Sequence, residues 1–385
     1  MASFDEVITK AVDDRVIPGV FLLAENKSGS FHYERVLGRS SLEPGNEQPL
    51  RRDHVFAFMS ASKLPTAVVV LQAVEQGLWD LDADVAPVLP ELAALPVLAG
   101  FDGDGPDAPP VLVPRTTPIT LRLLLTHSAG VFRAPPLVRY CAYHKIDAQQ
   151  RMTGSAVSVE SRFDYPLLFQ PGEGWNYGAG IDWAGRLVER LHAAKTGQAA
   201  EADAVTLEDL FVRGVLAPLG FPAGVITFHP ERYPDVRARL WPSLPGLYGE
   251  LTPFLHILLS LLRDDSRLLR PETAALLFTP QLAAPVARQQ LLANTVDGAW
   301  ITGSVPNTGE YDWSLGGLLV TGHAHPVRRK GALLWAGAFN LTWIIDREAG
   351  VAAVFGSNFA PPGDKQGKAL MGAWEEYIFP LAAQS

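Results

Sequence analysis

A serine and a lysine stand three residues apart at the head of an apolar segment. The pair Ser60-x-x-Lys63 directly precedes the apolar run 64–74, which predicts a buried helix. Positions i and i+3 share one face of a helix, so the Ser60 hydroxyl and the Lys63 amine are expected to meet. A serine hydroxyl becomes a good nucleophile when a neighbouring base takes its proton, and a desolvated lysine can be this base. The motif therefore predicts an enzyme that acylates its own serine.

The lysine of this motif stands where its charge is costly. Leu64, Val68 and Leu71 give the helix an apolar face, and burial disfavours the charged form of an amine. Desolvation is therefore expected to lower the pKa of Lys63 into the range where an amine serves as a general base near neutral pH. The alternative is a solvated lysine at a helix N-terminus, a position that the helix dipole mildly opposes.

Tyr177 is a second candidate for proton transfer. A Pro-Gly turn at 171–172 leads to Trp175 and then to Tyr177, which Gly178 follows directly. A glycine beside a tyrosine allows another group to approach the phenol hydroxyl closely. Taken alone, such a tyrosine more often marks a packed core position. Together with the serine and the lysine, Tyr177 becomes a candidate proton relay.

The segment 329–338 supplies a third element of the predicted site. It has the pattern of an apolar strand that ends in the small residues Ala336, Gly337 and Ala338. Such a strand can bring a backbone N–H to the carbonyl oxygen of a substrate, as an oxyanion hole requires. An ordinary central strand is the alternative, and the strand alone does not separate the two.

Strand-like segments at both ends of the chain enclose a largely helical middle. Residues 80–115, rich in Pro, Gly and Asp, are expected to form loops and short helices. The order of elements predicts an α+β fold: one antiparallel sheet, built from the N- and C-terminal segments and flanked by helices, with an inserted mainly helical lobe. The lobes are expected at 1–80 together with 225–385, and at 81–224, with the active site at their seam. Strands are predicted over 19–24, 31–36, 315–321, 332–335, 341–345 and 351–355, and helices over 4–15, 63–77, 120–127, 181–192, 207–216 and 365–378.

Composition excludes several other classes of function. The 385 residues carry a net charge of -9, whereas a surface that binds nucleic-acid phosphates needs a basic excess. Cys141 is the only cysteine, so no internal disulfide is possible. The first residues show no signal-peptide pattern, and no apolar stretch is long enough to span a bilayer. We expect a cytoplasmic monomer without a cofactor or a metal.

Other catalytic patterns are weaker. The chain has neither a Gly-x-Ser-x-Gly elbow nor a His-Glu-x-x-His motif. His323 and His325 lie in a loop flanked by Gly and Pro and form a weak metal candidate. His127 precedes Ser128 and suggests a dyad, although a histidine that bonds the backbone near a helix end is the better interpretation.

Further segments complete a family pattern, namely 77–82, 96–102, 119–128, 175–179, 182–185 and 329–331. Together with the motifs above they resemble the serine β-lactamase and penicillin-binding-protein superfamily, in its class C and esterase-like branch. The resemblance covers about 56–355 and is greatest to the fungal acyltransferases that attach the side chain of lovastatin. It implies a β-lactamase/transpeptidase-like fold, with Ser60 as nucleophile, Lys63 as general base and Tyr177 as the tyrosine that shares proton transfer. It also implies an oxyanion hole made by the backbone N–H groups of Ser60 and Ala338.

Two departures from this pattern bear on substrate choice. The sequence Trp-Ala-Gly at 335–337 stands where β-lactamases carry Lys-Thr-Gly, so the cation and the hydroxyl that hold a β-lactam carboxylate are missing. Ala179 replaces the amide that β-lactamases place two residues after the tyrosine. Esters or thioesters therefore fit this chain better than β-lactams.

The predicted function is a serine acyltransferase or esterase that forms a covalent acyl-enzyme on ester or thioester substrates, in secondary, polyketide-like metabolism. Its expected partners are a small-molecule acyl donor and acceptor, and an acyl-carrier protein is a candidate donor. Two alternatives stay open: a simple carboxylesterase for small or aromatic esters, and a catalytically silent binding or scaffold protein. An apolar substrate cleft is expected to be lined by Gly337 and by the aromatic residues Trp175, Trp335, Phe132, Tyr140 and Trp313.

Overall fold

Three antiparallel sheets contain the described strands. In the computed structural model the described residues are 3–45, 47–105, 107–131, 135–153, 158–196, 205–239, 246–297 and 308–384. The strands are β1 (Gly19–Asn26), β2 (His32–Gly38), β3 (Phe56–Ala57), β4 (Val97–Phe101), β5 (Pro110–Val113), β6 (Ile226–Thr227), β7 (Tyr248–Gly249), β8 (Tyr311–Trp313), β9 (Leu318–Val320), β10 (Leu333–Gly337), β11 (Leu341–Asp346) and β12 (Val351–Gly356).

Most helices lie between the N-terminal and the C-terminal strands along the chain. Two 3-10 turns cover Met59–Ser62 and Pro230–Arg232, and a π-helical turn, Val212–Leu216, joins two of the α-helices. The α-helices are α1 (Phe4–Asp13), α2 (Lys63–Glu75), α3 (Pro90–Ala93), α4 (Leu121–Leu125), α5 (Pro135–Tyr143), α6 (Ala148–Thr153), α7 (Val159–Arg162), α8 (Gly180–Thr196), α9 (Leu207–Phe211), α10 (Ala217–Leu219), α11 (Pro234–Ala238), α12 (Leu251–Arg263), α13 (Pro271–Leu276), α14 (Pro285–Asp297) and α15 (Lys365–Ala383).

The largest sheet joins the two ends of the chain. Its seven strands follow the order β2-β1-β12-β11-β10-β9-β8, and β1 pairs with β12 in a register that places Phe21 opposite Gly356. Strands β10 and β12 are buried at every position. Because successive side chains of a strand point to opposite faces, this burial means that both faces of the sheet are covered. Helices α12 and α15 both pack against β1 and β12, and the predicted antiparallel sheet flanked by helices is confirmed.

Helix α2 lies in the core and carries the serine–lysine motif at its start. Every residue from Leu64 to Leu71 is buried, as expected for a helix that is apolar on all sides. Helices α8 and α9 pack against it. At one contact with α8, a Cβ added to Gly185 would lie 3.7 Å from the side chain of Thr66. This enclosure fixes the position of Lys63 relative to α8.

Two regions differ from the secondary structure predicted above. Besides the short helix α3, residues 80–115 contain a hairpin of β4 and β5, whose register shifts between Leu98 and Gly100. The irregular register breaks the period-2 pattern by which a strand is detected. The single strand predicted over 315–321 is the C-terminal part of a hairpin of β8 and β9, closed by a bond from the Ser314 N–H to the Gly317 carbonyl. Strands of three residues are too short to show a period.

The seven-stranded sheet takes its strands from 19–38 and 311–356. This is compatible with a lobe formed by 1–80 and 225–385, while the boundaries of the two lobes stay a prediction. Within the described ranges, no helix combines the length and the apolar character that crossing a bilayer requires.

A buried ion pair ties the C-terminal helix α15 to the segment that precedes β10. The guanidinium of Arg328 binds the carboxylate of Glu375 at two points, with Nε 2.7 Å from Oε2 and Nη2 2.9 Å from Oε1. The two side chains are only 3% and 8% exposed. Removal of one partner from such a pair leaves an uncompensated charge in the core, which costs about 3–5 kcal/mol.

We therefore expect Glu375→Ala to lower the free energy of unfolding by roughly 3 kcal/mol or more, measured by urea denaturation. Glu376→Ala is the matched control, since Glu376 is the next residue of the same helix and is exposed. Its effect should stay below about 0.5 kcal/mol. Equal losses in the two variants would show that the pair does not stabilise this contact.

Candidate active site

Ser60 and Lys63 lie together at the start of α2. Ser60 belongs to the 3-10 turn Met59–Ser62, and the Lys63 N–H donates to the Ser60 carbonyl. A 3-10 turn has about three residues per turn, so side chains three positions apart eclipse one another. Met59 has a φ of 48°, in the left-handed region, which costs a non-glycine residue about 1–3 kcal/mol. A strained turn thus presents the serine and the lysine on one side.

The amine of Lys63 is bound to the hydroxyl of Tyr177. Its Nζ forms a hydrogen bond with this hydroxyl and lies 4.9 Å from the centre of the phenol ring. Burial lowers the pKa of Lys63, but the electrostatic influence of Tyr177 and Asp182 and the hydrogen bond to Tyr177 outweigh burial, so the pKa stands above its ordinary value. This corrects the lowered pKa expected from the sequence. Desolvation acts in the predicted direction, and the two neighbouring oxygen groups reverse its effect.

Asp182 supplies a carboxylate to the same region. It lies in the first turn of α8, five residues after Tyr177, and its side chain remains open to solvent. The surrounding protein removes part of its hydration and raises the pKa of its carboxyl group, while the charge of Lys63 opposes this rise. Helix α8 reaches this place because its first residue is Gly180, where a Cβ would lie 2.2 Å from the Leu124 carbonyl oxygen.

The indole of Trp335 donates to the phenol oxygen that Lys63 binds. Its Nε1 lies 3.0 Å from the Tyr177 Oη, and the centres of the two rings are 5.0 Å apart. The phenol oxygen therefore has one charged and one neutral donor. The two donors converge on the phenol oxygen and hold it in place.

Strand β10 brings Ala338 close to the turn that carries the serine. A Cβ on Gly337, the last residue of this strand, would lie 2.3 Å from the Phe58 carbonyl oxygen. Only a residue without a side chain permits this approach. Within the described ranges, neither the Ser60 N–H nor the Ala338 N–H donates to a backbone carbonyl outside its own element. An oxyanion hole made by these two N–H groups stays a prediction.

Three of the predicted cleft residues are packed against one another. Trp175, Trp313 and Trp335 are at most 1% exposed. The ring centres are 4.5 Å apart for Trp313 and Trp335 and 5.7 Å apart for Trp175 and Trp313, and two of these indoles also contact Tyr177. They therefore have almost no surface left for a substrate. This differs from the open cleft expected from the sequence, and the three indoles form instead a wall that supports Tyr177.

The other two predicted aromatic residues are not part of this wall. Tyr140 lies on α5 in a separate apolar cluster with Leu98 and Tyr165, where its ring is centred 4.4 Å from that of His144. Phe132 lies outside the described residues. Contact of either residue with a substrate stays a prediction.

The histidines of the weaker motifs bond to the backbone. His127 Nδ1 accepts a hydrogen bond from the Gly178 N–H at 3.2 Å, which confirms the structural interpretation rather than a dyad with Ser128. His325 Nδ1 accepts the N–H groups of Val327 and Arg328. In the part of the chain that the structure describes, no group of three or more His, Cys, Asp or Glu side chains is placed to hold a metal ion.

Three features of the site were not predicted from the sequence. Asp182 had a signal, because a carboxylate five residues after Tyr177 falls in the first turn of the following helix. The strained Met59 had none, since nothing in a methionine marks a left-handed backbone. The bond between Trp335 and Tyr177 joins positions 158 residues apart and could be found only from the packing.

A cavity of about 430 Å³ lies next to this region of the chain. Its wall is mainly apolar and includes Ala57 and Phe339, which are close in sequence to the nucleophile and to the predicted oxyanion hole. Its described lining includes neither Ser60 nor Lys63 nor Tyr177. We therefore do not assign this cavity to the reaction centre.

Comparison with known proteins places this geometry in a family. The family model described as Beta-lactamase matches residues 4–375. A lovastatin esterase from Penicillium rubens is 34% identical over 91% of this chain and 91% of that protein. A monacolin J acid methylbutanoyltransferase from Aspergillus terreus is 31% identical over 96% of this chain and 93% of that protein. The unliganded structure of simvastatin synthase (LovD) from Aspergillus terreus matches with a TM-score of 0.85 at 31% identity, covering 99% of this chain and 98% of that one.

The fold and these relatives define an enzyme of acyl transfer or ester hydrolysis. The chain belongs to the beta-lactamase family. The fold, the family and the class of function expected from the sequence are thereby confirmed. Because the relatives include both an esterase and an acyltransferase, the family alone does not decide between water and an alcohol as the acyl acceptor.

The approach of β10 to the nucleophile's turn can be tested at Gly337. A methyl group there would meet the Phe58 carbonyl oxygen at 2.3 Å, so Gly337→Ala should push the strand away from Ser60. We expect acylation to slow by roughly 10² for a displacement of about 1 Å, measured as the burst with an activated ester. Gly246→Ala is the control, because a Cβ there has no neighbour within 4 Å. An unchanged burst in Gly337→Ala would argue against an oxyanion hole at Ala338.

Proposed function

We propose that this chain is a serine acyltransferase or esterase in which Ser60 carries the acyl group. One observation carries the proposal: the amine of Lys63, one turn after Ser60, binds the hydroxyl of Tyr177, to which the indole of Trp335 also donates. Lys63 follows Ser60 by three residues and donates its N–H to the Ser60 carbonyl. The contacts therefore place a group that can hold a proton on the same side of the turn as the nucleophile, as covalent acyl transfer requires.

The proton of the Ser60 hydroxyl passes to the pair formed by Lys63 and Tyr177. Since the pKa of Lys63 stands above its ordinary value, the lysine is the cation of the pair and the Tyr177 oxygen is the acceptor. Two groups coupled in this way titrate as a unit, and the form that has lost one proton is the active one. This role differs from the expectation that a neutral Lys63, assisted by Tyr177, takes the proton of Ser60.

Acylation follows from this proton transfer. The Ser60 Oγ forms a bond to the carbonyl carbon of the ester or thioester, and the N–H groups of Ser60 and Ala338 stabilise the oxyanion. The bond to the leaving alcohol or thiol then breaks, and the leaving group takes the proton held by Tyr177. In the second half of the reaction the same pair removes a proton from an alcohol or from water, which attacks the acyl-serine ester. The bond between the acyl carbon and the Ser60 Oγ then breaks, and the pair returns the proton to Ser60.

The names of the relatives suggest the class of substrate. Those relatives are a lovastatin esterase and a monacolin J acid methylbutanoyltransferase, so we propose a polyketide-like alcohol as acceptor and a short acyl ester or thioester as donor. An acyl-carrier protein is a candidate donor, and we keep the expectation of a cytoplasmic monomer. β-Lactams fit poorly, because the position of the family's lysine holds Trp335, a neutral donor that is turned towards Tyr177.

A simple carboxylesterase is the second candidate, since one of the two relatives carries the name of an esterase. The two functions differ only in the acceptor of the second half-reaction. The ratio of transfer product to hydrolysis product, measured with a p-nitrophenyl ester in the presence and absence of an alcohol, separates them. A silent scaffold would show neither product.

The nucleophile can be tested by labelling. We expect a fluorophosphonate to add once to the protein at Ser60, and Ser60→Ala to lose both the adduct and turnover by about 10³-fold or more, as read by mass spectrometry and an ester assay. Ser62→Ala is the control, because the Ser62 Oγ bonds the Met59 carbonyl at 2.5 Å in the same turn. Full turnover in Ser60→Ala would overturn the proposal.

The role of the phenol oxygen can be tested through Trp335. Trp335→Phe keeps an aromatic ring but removes the donor that lies 3.0 Å from the Tyr177 Oη. We expect acylation to slow about 10- to 100-fold, as the loss of one hydrogen bond to a charged acceptor predicts. Because Lys63 and Trp335 bind the same oxygen, loss of the indole donor should change the pH at which the acylation rate rises. A slower rate with an unshifted profile would assign Trp335 a packing role only.

A further inference from the structure

His127 occupies a helix end that normally carries a glycine. After α4, the His127 N–H bonds the Leu124 carbonyl at 3.4 Å and the Ser128 N–H bonds the Leu123 carbonyl at 2.9 Å. This is the Schellman pattern of bonds, in which the residue beyond the cap adopts a left-handed conformation. His127 has a φ of 58°, and its side chain carries a steric cost there that glycine avoids. We therefore expect contacts of the His127 side chain that offset this steric cost.

The same residue holds both neighbours of Tyr177. The Asn176 N–H donates to the His127 carbonyl at 3.0 Å, and the Gly178 N–H donates to His127 Nδ1 at 3.2 Å. The imidazole is centred 4.6 Å from the phenol ring. Two backbone bonds and one ring contact thus fix the peptide on either side of Tyr177, and the left-handed turn directs the carbonyl and the Nδ1 of His127 to the same segment.

The environment keeps this imidazole neutral. His127 is 3% exposed, and burial together with the nearby charge of Lys63 holds its pKa well below the ordinary value. Because Nδ1 accepts an N–H, the ring proton of the neutral form is on Nε2. In a protonated ring Nδ1 carries a proton and cannot accept the Gly178 N–H. Only the neutral form can therefore hold this segment.

We propose that His127 is a positioning residue, which sets the phenol oxygen of Tyr177 between Lys63 and Trp335 by accepting the Gly178 N–H. The inference deepens the proposed function and rests on it, because a positioned phenol matters only if Tyr177 transfers the proton of Ser60. The competing view is that His127 only fills space between Trp313, at a ring distance of 4.9 Å, and Trp175, at 6.1 Å. The two views differ in whether the Nδ1 acceptor or the volume of the ring matters.

Two substitutions separate these views. His127→Asn keeps an acceptor, since its Oδ1 is attached to Cγ as the Nδ1 of histidine is, and asparagine tolerates the left-handed region well. His127→Phe keeps the ring and removes the acceptor. We expect the burst of Ser60 acylation to fall about 10- to 100-fold in His127→Phe and by less than about 5-fold in His127→Asn, with the pH profile shifted only in the former. The opposite order, or equal losses, would overturn the proposal.

A double-mutant cycle with Tyr177→Phe tests whether His127 acts through the tyrosine. If it does, His127→Phe should have little further effect once the phenol oxygen is gone, whereas an additive loss would contradict the proposal. Thermal unfolding of each variant shows whether it folds. If His127→Phe does not fold, the nitrogen-15 shifts of His127 in the wild type still decide, because a proton on Nδ1 is incompatible with the bond from Gly178. Absence of any Ser60 adduct in the wild type would instead count against the proposed function.

Discussion

The hydrogen bond between Lys63 and Tyr177 is the interaction on which the rest of the site depends. It joins the first residue of a buried helix to a loop that reaches the same point from another part of the chain. Neither group has the right properties alone: an isolated buried lysine would lose its charge, and a phenol without a cation would keep its proton at neutral pH. Together, and with Asp182 nearby, they form the pair that we propose as the acceptor of the Ser60 proton. The fold sets the distance between the Lys63 amine and the Tyr177 hydroxyl, and this distance allows the two groups to share a proton.

Close backbone contacts hold this distance. Gly337 lets β10 touch the Phe58 carbonyl, and Gly180 lets α8 touch the Leu124 carbonyl, at points where any Cβ would collide. Gly337 ends β10 and Gly180 begins α8, so both contacts lie at the end of an element that leads to the site. Strain at Met59 and His127, each in the left-handed region, is consistent with a site whose geometry is imposed by its surroundings, since such conformations persist where the structure around them leaves no alternative.

Local patterns predicted the sheet and selected Ser60, Lys63 and Tyr177 as candidate site residues, because each of these signals has a local cause. The alternation and apolar runs of the strands, the Ser-x-x-Lys spacing and the glycine beside Tyr177 can all be recognised within ten residues. The pKa of Lys63 could not be predicted, since burial acts within the helix whereas Tyr177 and Asp182 come from elsewhere. The burial of Trp175 and Trp313 could not be predicted either, because the sequence does not show whether an aromatic residue lines a cleft or supports its wall.

Trp335 stands where the resemblance to β-lactamases places the lysine of Lys-Thr-Gly. A tryptophan at this position changes the charge of the site as well as its shape. In a β-lactamase that lysine adds a second cation, which holds a carboxylate on the substrate. Here Lys63 is engaged by Tyr177 and Asp182, and Trp335 contributes a dipole directed at the phenol. A neutral ester or thioester needs no second cation for binding, so a tryptophan at this position favours uncharged acyl donors. The indole of Trp335 still donates to the Tyr177 oxygen.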